Sequence, residues 1–199
     1  IISLIVLMLH STIALAQSES RIYLLHSDRL FHDSNVDAKA QILVGNVQFR
    51  QEDILMYCDS ALFYEQSDSL DAFGNVRMLQ GDTVSLDGDI LYYNGLDKLA
   101  RVRNNVVLVH GSTTLYTGSL DYDRLYNVGY FFEGGRLVTP DNDMTSDWGE
   151  YRPDLKLAIF NYNVHMVSPA PPQKARTILQ SDTLYYYTET SVANTRGPS

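Results

Sequence analysis

The sequence predicts an all-β chain assembled from about six two-strand repeats of roughly 30 residues each. Two marks recur with this period. The first is a small or acidic residue followed, at steps of two, by an apolar and an aromatic residue, as in Asp59-Ala61-Phe63. The second is Gly or Asn, then a polar residue, then an apolar one, as in Gly74-Asn75-Val76. Between the marks, apolar residues alternate with polar ones, which is the period of a strand with one buried face.

Both marks run through most of the chain. The first occurs as Asp28-Leu30-His32, Asp59-Ala61-Phe63, Gly88-Ile90-Tyr92, Gly118-Leu120-Tyr122, Asp147-Gly149-Tyr151 and Asp182-Leu184-Tyr186. The second occurs as Gly45-Asn46-Val47, Gly74-Asn75-Val76, Asn104-Asn105-Val106, Gly135-Arg136-Leu137 and Tyr162-Asn163-Val164. Two independent marks with one period make a chance repeat a poor explanation. Residues 21–33 could form a short helix, because Ile22 and Leu25 are three apart, but a strand or irregular structure is favoured there.

The alternation also predicts which side chains face the interior. Units of this size cannot bury one face alone, whereas stacked neighbours bury a continuous one. In the third repeat Val84, Leu86, Gly88, Ile90 and Tyr92 share one parity, and that parity is predicted to point inward. The predicted apolar lining of the interior is Phe63, Val76, Leu86, Ile90, Tyr92, Val106, Leu120 and Tyr122.

The two ends of the chain differ from the repeats. Residues 1–16 are almost continuously apolar and close with Ala14-Leu15-Ala16, the small-x-small form of a signal-peptidase site, which predicts an export signal followed by a domain over residues 17–199. A Pro-rich stretch, residues 168–173, predicts a surface loop. The last half-repeat, residues 178–187, lacks a partner strand carrying the second mark. It therefore predicts an open edge, either cut from a longer array or used for docking.

Composition excludes several functions. The net charge of −9 leaves no basic surface for nucleic acid, and the single cysteine, Cys58, excludes a disulfide framework or a cysteine-based metal centre. The five histidines fall in different repeats, and the acidic segment 141–147 lacks the Gly and Glu of a calcium loop. No catalytic residue, metal or cofactor is predicted. The column Asp28, Asp59, Asp147 and Asp182 keeps one enzymatic alternative open, a β-solenoid that binds or cleaves polysaccharide.

The Gly-Asn-Val motifs at 45–47 and 74–76, with the segments DSALFY at 59–64 and DGDILYY at 87–93, resemble the periplasmic OstA/LptA-like lipopolysaccharide-transport family. The resemblance implies a folded-over β-jellyroll (β-taco) whose apolar groove holds the acyl chains of lipopolysaccharide or a related acylated glycolipid. It also implies a periplasmic, non-enzymatic protein whose end strands pair with inner- and outer-membrane transport components or with a second copy. The alternatives are a closed sandwich core that binds nothing and a structural strand-pairing scaffold.

Overall fold

The computed structural model describes residues 20–168 and 176–197. Within these ranges the chain forms fifteen strands and one turn of 3-10 helix, Glu65–Ser67. The strands are β1 Tyr23–His26, β2 Arg29–Phe31, β3 Gln41–Gln51, β4 Ile54–Tyr64, β5 Ser69–Gln80, β6 Val84–Asn94, β7 Leu99–His110, β8 Thr113–Asp123, β9 Val128–Phe131, β10 Gly135–Val138, β11 Asp143–Ser146, β12 Trp148–Arg152, β13 Leu157–Ser168, β14 Thr177–Tyr187 and β15 Val192–Arg196. Both the export signal predicted at 1–16 and residues 169–173 of the predicted loop lie outside the described ranges.

All strand pairs are antiparallel, and the long strands β3 to β8 form a meander in chain order. Beyond β8 the pattern continues with half-length strands, since β10 pairs with the first half of β8 and β9 with its second half. In the same way β11 and β12 pair with the two halves of β13. Each repeat therefore crosses the sheet twice, as the two-strand period predicted.

The sheet bends along one line, which we call the corner. Strands β3, β5, β7 and β13 each carry a bulge there, at Gly45-Asn46, Gly74-Asn75, Asn104-Asn105 and Tyr162-Asn163. Both residues of every pair have positive φ, between 45° and 85°. Because a bulge bends its strand, four aligned bulges fold the sheet into two facing half-sheets. Phe49 in one half-sheet and Phe63 in the other meet across the interior, with ring centroids 5.4 Å apart.

The corner changes the predicted parity in β6. In β5 the two left-handed residues, Gly74 and Asn75, leave the alternation unchanged, so even-numbered side chains face inward from Leu70 to Met78. Strand β6 passes the corner at Asp89 without such a pair, and its inward series shifts by one residue. Leu91 and Tyr93 are therefore buried, whereas Ile90 is only half-buried and Tyr92 is 41% exposed. The prediction that Ile90 and Tyr92 face the interior was wrong for this reason.

The apolar anchors of the second mark form a buried column beside the corner. Their side chains are at most 3% exposed, and the column consists of Val47, Val76, Val106, Leu137 and Val164. They belong to one core cluster that runs from Ile22 to Tyr186 and draws on both half-sheets. The prediction that the second mark recurs as a structural feature is thus confirmed, because its apolar residues lie where the two half-sheets join. No helix among residues 20–168 and 176–197 is long and apolar enough to cross a bilayer.

The stack of strands ends at β1 and β2 on one side and at β15 on the other. Strands β1 and β2 cover the two halves of β3, so residues 21–33 form strands rather than a helix. At the other end β15 pairs with Thr183–Tyr187, the second half of β14. The prediction that residues 178–187 have no following partner strand was therefore half wrong. Ser191, with φ of 54°, closes a tight turn that brings residues 192–196 back even though they lack the second mark.

Candidate functional site

The free ends of the two half-sheets meet on the side opposite the corner, which we call the mouth. Two rows of turns border it. The long-turn rim consists of residues 32–40, 65–68, 95–98, 124–127, 153–156 and 188–191, and the described short-turn rim of residues 52–53, 81–83, 111–112 and 139–142. From 65–68 onward, the last residue of each long turn adopts positive φ: Asp68, Lys98, Asn127, Lys156 and Ser191.

Six of the eight side chains predicted to line the interior do so. They are between 0% and 6% exposed, and they are Phe63, Val76, Leu86, Val106, Leu120 and Tyr122. All six belong to the single core cluster. Sequence analysis missed Leu91 and Tyr93, which take the places expected for Ile90 and Tyr92. The usable signal was the acidic residue, because an aromatic follows four residues after Asp59, Asp147 and Asp182. Asp89 and Tyr93 keep that spacing, whereas the predicted mark began at Gly88.

Three members of the aspartate column, Asp28, Asp59 and Asp147, and also Asp89 accept hydrogen bonds from asparagines at the corner. In four repeats the amide of a bulge asparagine donates to the aspartate of an adjacent strand or corner, at 2.6 to 3.0 Å. The pairs are Asn46 with Asp28, Asn75 with Asp59, Asn105 with Asp89, and Asn163 with Asp147. These hydrogen bonds hold the left-handed pairs in place. The carboxylates therefore stabilise the bend, whereas the polysaccharide-cleaving alternative requires them to act on a substrate.

Polar side chains join the two rims at the β3 end of the mouth. The Tyr93 hydroxyl donates to Gln51 Oε1, and Arg124 Nη1 donates to the same hydroxyl at 2.6 Å. Gln51 Nε2 also donates to the Gly95 carbonyl at 3.0 Å. Arg124, whose side chain is 3% exposed, lies 3.5 Å from an Asp53 carboxylate oxygen. We call Gln51, Tyr93 and Arg124 the latch, because Gln51 comes from β3 beside the short-turn rim and Arg124 from the long-turn rim.

Further along the mouth, other tyrosines repeat this arrangement. Their rings are buried, while their hydroxyls reach polar partners at the rims. Tyr122 donates to Asn127 Oδ1, Tyr151 lies 3.0 Å from His110 Nδ1, and the Tyr186 hydroxyl accepts from Asn142 Nδ2 at 2.8 Å. Burial raises the pKa of Tyr122 to about 12, so the hydroxyl stays protonated and can donate. The mouth is therefore a polar seam above an apolar interior.

The interior offers hydrocarbon contact and little reactive chemistry. Cys58 is buried, and desolvation raises its pKa to about 12, which keeps the thiol protonated. In the described parts of the chain no three His, Cys, Asp or Glu residues cluster at metal-binding distance. A cavity of about 290 Å³ at the β1 end is bordered by the apolar residues Ile22, Leu24 and Phe63 and by the charged residues Arg21, Glu65 and Asp68. Phe63, one of the predicted lining residues, therefore borders this cavity.

A single antiparallel sheet bent at a corner around one apolar interior is a folded-over β-jellyroll. Residues 19–175 match the family described as OstA-like protein, and the chain belongs to that family. Comparison with the curated proteins found no match. Among solved structures, the chain is similar to LptH from Pseudomonas aeruginosa, described as the LptA homologous periplasmic component of the conserved lipopolysaccharide transport device. That match has 14% identity and a TM-score of 0.48, and covers 56% of this chain and 80% of LptH.

Proposed function

We propose that this protein binds lipopolysaccharide or a related acylated glycolipid in the periplasm and passes it toward the outer membrane without chemical turnover. Membership of the OstA-like family supports the proposal. The observation that carries it is the interior itself, since six residues predicted as a lipid lining belong to one continuous apolar core between facing half-sheets.

Hydrocarbon is the ligand chemistry that such an interior favours. Each methylene buried between the half-sheets contributes about 0.8 kcal/mol, so a chain needs no charged anchor to bind. Three charged groups of the described residues are buried: Asp68 in a long turn, Glu150 beside Arg152, and the Arg124 guanidinium, which donates to the Tyr93 hydroxyl at the mouth. An acyl chain entering the interior would displace side chains that now pack there, and it would separate the polar seam at the mouth.

The proposed partners follow from the stack ends. Among the described residues, β1 and β2 form one edge of the sheet, and β15 with the half of β14 that β15 does not cover forms the other. An open edge can take up another strand, so each end can join a transport component of the inner or outer membrane or a second copy. The net charge of −9 would repel anionic head groups, so we assign the acidic surface to solubility and not to head-group binding.

The decisive test compares an inward with an outward residue of similar size. Leu120→Asp places a carboxylate in the interior, where an unpaired charge costs several kcal/mol, and should weaken binding of a fluorescent lipid A analogue more than tenfold. Ile90→Asp, on the outer side of β6, is the matched control and should bind as wild type. Circular dichroism checks that both variants fold.

Mass spectrometry of protein purified without detergent should also detect bound acylated glycolipid. If the folded Leu120→Asp variant binds the analogue as tightly as wild type, the interior is not the lipid site. If the wild-type protein carries no detectable lipid and also binds no analogue, the proposed function is wrong.

A further inference from the structure

The two rims of the mouth differ in their exposed side chains. The long-turn rim carries five large apolar side chains that are 60% to 73% exposed: Val36, Leu96, Leu125, Tyr126 and Leu155. The described short turns carry no exposed large apolar side chain, and they contain the acidic residues Glu52, Asp53, Asp82 and Asp141. Acidic residues occur in both rims, with Glu65, Asp97, Asp154 and Glu189 in the long turns. The rims therefore differ in their exposed apolar side chains, not in their acidity.

Turn geometry does not require the apolar residues. Asn94 Oδ1 accepts from the backbone N–H groups of Leu96 and Asp97, and Asp123 Oδ1 does the same for Leu125 and Tyr126. These side-chain caps and the left-handed closing residue define each turn. The tips themselves are positions where polar residues are the rule, so the exposed leucines are not explained by folding.

The apolar tips lie beside the latch. Leu96 follows Gly95, whose carbonyl accepts from Gln51, and Leu125 follows Arg124, whose guanidinium donates to Tyr93. Successive turns are two strands apart, about 10 Å, so Leu96, Leu125 and Leu155 span about 20 Å along the mouth. This row borders the apolar interior over several repeats.

We propose that the long-turn rim is the side over which acyl chains pass between solvent and the interior; the inference rests on the proposed function. A chain crossing the described short turns would meet no exposed large apolar side chain before it reached the interior. A chain crossing the long-turn rim instead contacts Leu96, Leu125 and Leu155 before the latch opens. The ligand of this surface is the hydrocarbon part of an amphiphile in transit.

The test is kinetic, because a surface used in transit changes rates more than affinity. The rim variant carries Leu96→Asn, Leu125→Asn and Leu155→Asn. The control carries Tyr92→Asn, Tyr116→Asn and Tyr162→Asn, which are exposed residues on the outer faces of β6 and β8 and at the corner. Stopped-flow fluorescence follows uptake and release of a pyrene-labelled sixteen-carbon fatty acid and of a fluorescent lipid A analogue. Uptake and release by the rim variant should both slow by about five- to tenfold, with little change in Kd.

Each other result is decisive. If wild type takes up the probes but the rim variant matches it, or if the control slows equally, the rim inference is wrong while the proposed function stands. If the rim variant loses only binding to empty phospholipid vesicles, the rim docks to a membrane and the inference is overturned. If wild type takes up neither probe, the proposed function fails and the inference fails with it.

Discussion

At the scale of single residues, the fold places a tyrosine hydroxyl at the mouth in four successive repeats. Tyr93, Tyr122, Tyr151 and Tyr186 each lie four residues after the corner position of their strand, with the ring inside and the oxygen at a rim. Tyrosine suits this position because one end of its side chain is apolar and the other can be satisfied by a polar partner. In the first long strand pair the equivalent residue is Phe63, which instead packs on Phe49.

The pair formed by His110 and Tyr151 predicts a pH dependence of stability. Burial, with Lys156 nearby, lowers the folded-state pKa of His110 below its ordinary 6.5. As the pH falls, His110 therefore binds a proton in the unfolded chain before it does so in the folded protein. The contribution of His110 to the free energy of unfolding is fully present above pH 6.5 and is lost as the pH falls toward the lower folded-state pKa. His110→Gln should reduce the loss of unfolding free energy between pH 7.5 and 5.5 in urea titrations. An unchanged pH dependence in the folded variant would show that His110 is not responsible.

At the scale of the strand, the corner decides what sequence reasoning could recover. The apolar anchors of the second mark were predictable, since their period and apolar character are visible in the sequence, and all five anchors are buried. Side-chain parity across β6 was not predictable from alternation, because alternation assumes a straight strand; the spacing from Asp89 to Tyr93 was the signal that did indicate it. A strand that crosses the corner opposite a bulge, as at Asp89, shifts its inward series by one residue. The latch was also beyond prediction, since its members come from β3, β6 and the turn after β8, which are far apart in the chain.

The bulges predict a specific penalty at Gly74. Its φ is +74°, and a Cβ there would lie 2.5 Å from Asp59 Oδ2, the oxygen that accepts from Asn75. Gly74→Ala should lower the unfolding free energy by about 2–4 kcal/mol through backbone strain plus disruption of that contact. Gly81→Ala is the matched control, with φ of +54° and nothing within 4 Å, and should cost only about 1 kcal/mol. Equal losses in chemical denaturation would show that the contact with Asp59 does not stabilise the corner.

At the scale of the whole molecule, the repeats form a stack with two different ends. The predicted open edge survives in part, because β15 covers residues 183–187 of β14 and leaves the side of residues 177–182 away from β13 uncovered by described residues. At the opposite end, β1 and β2 expose Tyr23, Leu25 and Leu30. Edges of this kind recruit strands unless charge, proline or a covering element protects them.

The uncovered half of β14 therefore predicts self-association that depends on protein concentration. Ile178→Lys places a charge on that edge and should shift sedimentation toward the monomer, since lysine opposes strand addition. Tyr116→Lys is the matched control, because Tyr116 is also exposed but lies on β8, which has partners on both sides. A monomer across a hundredfold concentration range, in wild type and both variants, would contradict pairing through this edge.

The central claim is that the bent sheet holds acyl chains between its halves, and photocrosslinking tests it most directly. A glycolipid with a diazirine on its acyl chain is bound, irradiated and mapped by mass spectrometry of the peptides. Crosslinks should fall on inward residues such as Leu86, Leu91 and Leu120, which are at most 1% exposed. Crosslinks confined to outward residues such as Tyr92 and Tyr116, or spread evenly over both faces, would contradict the account.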